Sequence, residues 1–308
     1  MWSDPRFPGT SRRHVNSFEF YRLRYHFEAL GRLLFPPGGS ANLVRGALGE
    51  CLHRMRPDAS RLFRPTAVRP SGLRLAPLPF VLRTLPLDGQ AIAPGEPFSF
   101  DLHVFESRSS VLDYFREAFE MIAAQGLGQG RGHARLAKVE MLDLEGKPAA
   151  AGFRCVAPLD PEGPAISAVT LRFLTPTELK AQGHVVDQPE FRHVFARLRD
   201  RIATLSALYG RSPLALDFRA LGAHASAVHL ERSNLTWEYA SRKSTRTGRT
   251  HPLGGFTGTV EYRGPLAEFL PWLRTAHWVG VGRQTVWGKG EVRVVGEEED
   301  RPLPDGHG

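Results

Sequence analysis

The sequence predicts an α+β protein built from two consecutive β-α-β-β-α-β units, with a glycine-rich loop near its C-terminal end. Short apolar runs with strand-like alternation are interspersed with longer segments whose apolar residues recur every three to four positions, as in helices. This order of elements occurs twice along the 308 residues. A stretch rich in Pro and Gly, residues 150–165, lies between the two occurrences and indicates a linker.

The first unit begins with an aromatic-rich strand, and its first helix starts at Ser40, a residue type that favours helix N-termini. Its second helix has one apolar face, and a glycine run at 126–132 precedes the last strand. The predicted elements are a strand at 18–27, a helix at 40–55, strands at 80–85 and 98–105, a helix at 109–124 and a strand at 134–142.

The second unit repeats this order, which is the ferredoxin-like (RRM-like) arrangement. The predicted elements are a strand at 166–174, a helix at 189–209, strands at 230–240 and 256–262, a helix at 265–275 and a strand at 291–295. We therefore expect a first domain over 14–150, a second domain over 160–296, and a disordered tail over 297–308.

The composition favours a polyanionic partner. The net charge is +8, and neutralising phosphates releases counterions. Only five of the 40 basic residues are Lys, and codon bias in a GC-rich genome would also produce this excess of Arg. Two distant cysteines outside any CxxC pair argue against a disulfide framework or a cysteine zinc site. We expect a cytoplasmic protein, because neither a signal peptide nor a membrane span is visible, and we expect no metal and no cofactor.

The strongest local signal is GVGRQTVWGKG at 280–290, which contains Gly280, Gly282, Gly288 and Gly290. Glycines permit positive φ and allow another chain, here the sugar-phosphate chain of a nucleic acid, to approach the backbone closely. Arg283 and Lys289 add positive charge to the same loop. A Walker loop requires Ser or Thr after Gly-Lys, and a dinucleotide fingerprint lies between a strand and a helix, so neither motif fits. A glycine-rich turn without a ligand remains the alternative. Trp287 could stack on a base or anchor the loop.

Five blocks in a fixed order, the last of which contains this loop, carry a family resemblance. They are LVRGALGECL (43–52), GLGQGRG (126–132), LRFLTPTELK (171–180), SRKSTRTGRTHPLGGFTG (241–258) and the segment 255–292 that ends in VGVGRQTVWGKGEV. Together they resemble the CRISPR repeat-processing endoribonucleases of the RAMP superfamily. The resemblance implies a protein that binds the repeat of a precursor CRISPR RNA and cuts it once without metal. In such proteins a 2′-hydroxyl attacks the adjacent phosphate and leaves a 2′,3′-cyclic phosphate and a 5′-hydroxyl.

That reaction needs a base near the 2′-hydroxyl, an acid near the leaving oxygen and cations on the developing charge. The family's catalytic His in the turn after the first helix has no counterpart at 56–60, where Ser60 is the nearest match. His53, near the end of that helix, is the substitute candidate; the alternative is a surface His. Tyr25 could face the RNA or pack in the core. Arg45 could stabilise a phosphate or lie on a solvated helix face.

The basic stretch after the predicted strand at 230–240 is the best candidate for phosphate contacts, with Ser and Thr between its charges. Its basic residues are Arg242, Lys243, Arg246 and Arg249. An exposed hairpin tip without a ligand is the alternative, and Arg131 in the first glycine run is a weaker candidate. The missing His keeps a second hypothesis open, a non-catalytic subunit that holds the repeat among other subunits of a CRISPR effector complex. A third is a RAMP protein that binds other RNA.

Overall fold

The computed structural model describes residues 16–55, 76–161, 166–181, 183–239, 241–243, 250–252 and 254–295, with the backbone alone at 241–243 and 250–252. The predicted tail at 297–308 lies outside these residues. The elements up to residue 158 are β1 (Ser17–Ala29), β2 (Leu33–Leu34), α1 (Ser40–Met55), β3 (Phe80–Arg83), β4 (Ala91–Ile92), β5 (Pro97–Val104), α2 (Ser110–Gln125), β6 (Ala134–Leu142), β7 (Pro148–Ala149) and β8 (Cys155–Pro158).

The following elements complete the chain. They are β9 (Ala168–Thr177), β10 (Lys180–Ala181), β11 (His184–Val185), α3 (Phe191–Tyr209), α4 (Phe218–Ala225), β12 (His229–Glu238), β13 (Ser241–Lys243), β14 (Thr250–Pro252), β15 (Gly255–Arg263), α5 (Leu270–Val279) and β16 (Val292–Val295). None of the helices described is long and apolar enough to cross a bilayer.

The two main sheets confirm the predicted tandem ferredoxin-like fold. The first has the strand order β3-β5-β1-β6-β7, and the second has the order β12-β15-β9-β16. In both, the first and third strands of the unit are neighbours at the centre, and all these pairings are antiparallel. This is the arrangement that β-α-β-β-α-β connectivity produces when both helices cover one face of the sheet.

Strand β1 contributes to two cores. From Tyr21 to Ala29 its odd-numbered side chains are buried with α1 and α2 in the first core. At its start, Phe18 and Phe20 point the other way and belong to the core of the second unit. Since successive strand residues face opposite sides, this change of buried face lets β1 take part in both units.

Apart from short strands of two or three residues and small shifts in bounds, three elements differ from the sequence predictions. The expected linker contains β8, which pairs with the start of β1 and buries Cys155. Helix α5 begins at Leu270 rather than at 265, with Pro271 in its first turn, where a missing N–H costs nothing. Helix α4 was not predicted; its N-terminus is capped by Asp217, which accepts bonds from the amides of Arg219 and Ala220.

Candidate nucleic-acid interface

The glycine-rich loop at 280–290 connects α5 to β16 and contains a 3₁₀ turn at Thr285–Trp287. All four of its glycines have positive φ, between 71° and 81°. The space around them is occupied by protein. A Cβ on Gly290 would lie 2.0 Å from the carbonyl oxygen of Val281, and one on Gly282 would lie 2.6 Å from that of Glu178. These glycines therefore fold the loop tightly onto itself and onto the segment after β9. A close approach of RNA to these glycines stays a prediction.

The tip of the loop docks on α1 of the first unit. A Cβ on Gly288 would lie 2.5 Å from the Cβ of Ala41, so only glycine allows this approach. The Arg45 guanidinium lies 3.6 Å from the ring centroid of Trp287, a cation–π contact. The sequence suggested a phosphate contact for Arg45, and a base contact or an anchoring role for Trp287. In the structure the two side chains contact each other and help to hold the two units together.

Lys289 is the basic residue of this loop that lies inside the protein. It is 5% exposed, and its Nζ is 3.5 Å from the carbonyl oxygen of Gly38, just before α1. Burial lowers its pKa, and the nearby carboxylates of Asp88 and Glu238 oppose this change. Arg283 is half exposed and forms an ion pair with the buried Glu178, whose carbonyl also accepts a bond from the Arg283 amide. Of the two predicted cations, only Arg283 therefore lies at the surface.

The start of the loop is fixed by cations that converge on the C-terminal carbonyls of α5. Arg83 on β3 donates to the carbonyls of His277 (2.7 Å) and Trp278 (3.3 Å), and Arg201 on α3 donates to that of Val279 (2.8 Å). The imidazole of His103 also contacts the Trp278 carbonyl, at 2.9 Å. A helix C-terminus carries partial negative charge, which explains why cations gather there.

This cluster is buried, and burial sets its protonation. Arg83, Arg201 and His103 are each 6% exposed or less. Burial lowers the pKa of His103 and that of His277 well below the ordinary value, and neighbouring arginines lower both further. Arg83 also lies 3.8 Å from the Glu291 carboxylate at the other end of the loop, so one side chain of the first unit contacts both ends.

An open cavity of about 250 Å³ lies where the loop, the start of α1 and the end of β12 meet. Its polar lining includes Lys289, Asp88, Glu238 and Thr84, and Trp287 lines it as well. Asp88 accepts a bond from the amide of Ser40, which caps the start of α1. Sequence reasoning missed Asp88 and Glu238, because they lie far apart along the chain and belong to different units.

The basic stretch begins next to this cavity. Strands β13 and β14 form a hairpin in which Arg242 pairs with His251, and Lys243 pairs with Thr250. The hairpin follows β12, whose last residue, Glu238, lines the cavity. The side chains of Arg242 and Lys243, and the whole of Arg246 and Arg249, lie outside what the structure describes. Their proposed phosphate contacts stay predictions.

The first unit has a smaller glycine run that packs on the segment before α1. The Gln129 amide donates to the Leu34 carbonyl, and a Cβ on Gly132 would lie 2.3 Å from the Arg32 carbonyl oxygen. Arg131 is exposed and has a φ of 52°. The segment 32–41 therefore contacts both glycine-rich loops, and Arg131 lies at the surface of the first one.

The structure contradicts one catalytic prediction and separates another from the loop. Tyr25 is fully buried beside Phe100 and Phe119, and burial strongly raises the pKa of its phenol, so it cannot meet RNA. Strand alternation showed that Tyr25 and His26 face opposite ways but not which face is covered. His53 is exposed in the last turn of α1, about 18 Å along the helix from Ala41, at 1.5 Å per residue. The turn at 56–60 lies outside the described residues.

Comparison with known proteins gives two family matches. Residues 171–292, which include the glycine-rich loop, match the family of the CRISPR-associated endoribonuclease Cas6, and residues 18–152 match a family described as an N-terminal domain. No protein of curated function matches the chain.

Several solved structures share the fold. A Cas6 product complex has a TM-score of 0.58 at 21% identity, over 90% of this chain and 99% of that one. A Thermus thermophilus Cas6 has a TM-score of 0.56 at 19% identity, over 91% and 100%. A partial Cas6-RT-Cas1–Cas2 complex has a TM-score of 0.59 at 13% identity, over 91% of this chain and 46% of that one.

Proposed function

We propose that this chain, a RAMP-type protein with the fold of the CRISPR repeat-processing endoribonucleases, binds the repeat of a precursor CRISPR RNA and cuts it once without a metal ion. The observation that carries the proposal is the match of residues 171–292 to the Cas6 family, since this segment contains the loop that docks on α1. Other subunits of a CRISPR effector complex are further proposed partners.

The proposed RNA path follows the basic surface around the loop. The hairpin of β13 and β14 begins beside the cavity, so Arg242, Lys243, Arg246 and Arg249 would contact phosphates there. Arg283 would add a charge at the loop, and Arg131 would lie on the far side of the segment before α1. Replacing Arg242, Lys243 and Arg246 with Ala should weaken binding and reduce its dependence on salt concentration. Unchanged affinity and an unchanged salt slope would remove these residues from the path.

The proposed cut is a transesterification within the RNA. The 2′-oxygen forms a bond to the adjacent phosphorus while the bond from phosphorus to the 5′-oxygen breaks, leaving a 2′,3′-cyclic phosphate and a 5′-hydroxyl. A base takes the 2′-proton, and an acid protonates the leaving oxygen. His53, exposed at the end of α1, is the proposed base. Arg45 lies about 12 Å away along the helix, so the two would act at different points of the bound strand.

The test uses purified protein and the repeat RNA in EDTA, beside a copy with 2′-deoxyribose at the cut. One cut in the all-RNA strand alone is expected, with a cyclic phosphate end. His53→Ala should slow it about a hundredfold or more, since general base catalysis contributes about 10²–10⁴-fold. His224→Ala is the matched control, because His224 is also exposed but pairs with Glu268 next to α4. Cutting of the deoxy strand, or cutting that requires a metal, would contradict the proposed reaction.

A non-catalytic repeat-binding subunit is the second candidate function. The observation in its favour is the cavity between the loop and α1, whose lining within the described ranges includes Lys289 but neither His nor Tyr. Tyr25 is buried, and His53 lies at the opposite end of α1. Tight binding of the repeat with no cut in the same assay would support this function over cleavage.

A further inference from the structure

We propose that the cavity between the glycine-rich loop and α1 binds one unpaired nucleobase of the RNA, and that its polar groups select guanine. This proposal rests on the proposed function in one respect, that the ligand is RNA. The cavity holds about 250 Å³, which is smaller than the pockets of drug-sized ligands. Its place between the basic hairpin and α1 lies on the proposed RNA path.

The charges of the cavity favour a base over a phosphate. Its charged lining residues are Lys289 and three carboxylates, those of Asp88, Glu238 and Glu291. Glu291 is within 4.0 Å of Arg83 and Arg293, and this pairing leaves Asp88 and Glu238 beside a single ammonium. Among the lining residues a phosphate would meet more negative than positive charge, whereas an uncharged group with hydrogen-bond donors would not be repelled.

The remaining lining suits the flat, apolar faces of a base. Trp287 borders the cavity, and Arg45 covers its ring at 3.6 Å. Leu82, Leu85 and Pro37 add apolar surface. Proteins bind unpaired bases by stacking them on aromatic rings or arginine planes and by bonding their polar edges, and this cavity offers both kinds of group.

The polar groups match guanine best. Guanine's Watson–Crick edge presents two adjacent donors, N1–H and the N2 amino group, beside the acceptor O6. The bonds described for Asp88 and Glu238 use one carboxylate oxygen each, from the Ser40 amide and the Thr257 hydroxyl. Lys289 has three donors, and its described hydrogen bond, to Gly38, is long at 3.5 Å. Carboxylate acceptors and an ammonium donor therefore complement this edge, whereas adenine and uracil lack the pair of adjacent donors.

The experiment measures binding of the full chain to a labelled twelve-nucleotide oligouridine in which one central position is guanosine, inosine, adenosine or cytidine. The guanosine strand should bind about tenfold more tightly than the other three, the size of a good base contact. Inosine lacks only the N2 amino group of guanosine, so the difference in affinity between these two strands measures the bond from that amino group to a carboxylate. Equal affinities for all four strands would overturn the proposal, and a preference for another base would overturn the assignment of guanine.

Two charge-neutralising variants separate recognition from electrostatics. Glu238→Gln should abolish the preference for guanosine over inosine without weakening oligouridine binding. The matched control is Glu231→Gln on the same strand, where Glu231 is exposed and 3.9 Å from Arg263. Both variants remove one negative charge and should change binding of the inosine, adenosine and cytidine strands similarly, but only Glu238→Gln should reduce the ratio of guanosine to inosine affinity. An unchanged ratio in Glu238→Gln would refute the role of this carboxylate.

The outcomes also separate this proposal from the proposed function. If the protein cuts its repeat in EDTA but shows no base preference, the proposed function stands and the guanine site is refuted. A protein that binds none of the RNAs, repeat included, loses both.

Discussion

Arg83 is expected to be the single most important side chain for the position of the glycine-rich loop. It is buried on β3, donates to the His277 and Trp278 carbonyls, and lies 3.8 Å from the Glu291 carboxylate. Arg83→Leu removes these interactions and leaves Glu291, itself 5% exposed, with the half-exposed Arg293, at 4.0 Å, as its remaining described ion-pair partner. Breaking a buried ion pair by removing one partner costs about 3–5 kcal/mol, so we expect a loss of that size in the free energy of unfolding.

Urea denaturation followed by far-UV circular dichroism measures this loss. Arg293→Leu is the matched control: Arg293 lies 4.0 Å from the same carboxylate, but its side chain is 53% exposed. Exposed pairs contribute at most about 1 kcal/mol, so this variant should remain close to the parent. The double variant Arg83→Leu with Glu291→Leu should be more stable than Arg83→Leu alone, because it removes a buried carboxylate that has lost its buried partner. A loss below about 1 kcal/mol for Arg83→Leu, or additive losses in the double variant, would refute this reasoning.

Three further predictions concern other parts of the molecule. Burial holds the pKa of His103 and that of His277 below the ordinary value. Below about pH 6.5 the unfolded chain therefore binds more protons than the folded chain does. The free energy of unfolding should then fall by up to about 1.4 kcal/mol for each pH unit and each imidazole. Denaturation midpoints at pH 5–8 test this, and a flat profile below pH 6.5 would contradict it. Gly290→Ala should lower the thermal midpoint far more than Gly152→Ala, since both have φ above 70° but only Gly290 has a carbonyl oxygen 2.0 Å from the added Cβ. Similar midpoints would show that backbone strain alone matters. Burial raises the pKa of Cys155 to about 11, and it also raises the pKa of Cys51. Both thiols are buried, so they should react with a disulfide reagent at pH 8 only after the protein unfolds. Rapid reaction of the native protein would refute their burial.

The sequence predicted the bounds of several strands and helices closely. The structure has β6 at Ala134–Leu142, with the predicted bounds, and α1 begins at Ser40 as expected. The prediction failed for β8, whose four residues are too few to show alternation inside a Pro- and Gly-rich stretch. Burial of β8 comes from pairing with β1, which is distant along the chain and invisible to local pattern.

The candidate site was predictable only in part, because its geometry depends on contacts between the units. The glycine motif located the loop, and the helix pattern located Arg45, but nothing in either segment indicates that Arg45 stacks on Trp287. Asp88 and Glu238 have no motif around them, and only the docking of the loop on α1 brings them to one cavity. For Tyr25, strand alternation left open which face of β1 is covered.

Several contacts that hold the loop come from the other unit, and this has a consequence for how the chain works. Arg83 fixes both ends of the loop, and Ala41 and Arg45 fix its tip, all from the first unit. Phe18 and Phe20 of the first unit also complete the core of the second. A second unit without the first would expose that core and lose the surface on which the loop is docked. The loop lies in the segment that carries the family match, and its described position depends on packing between the units as well as on contacts within the second unit.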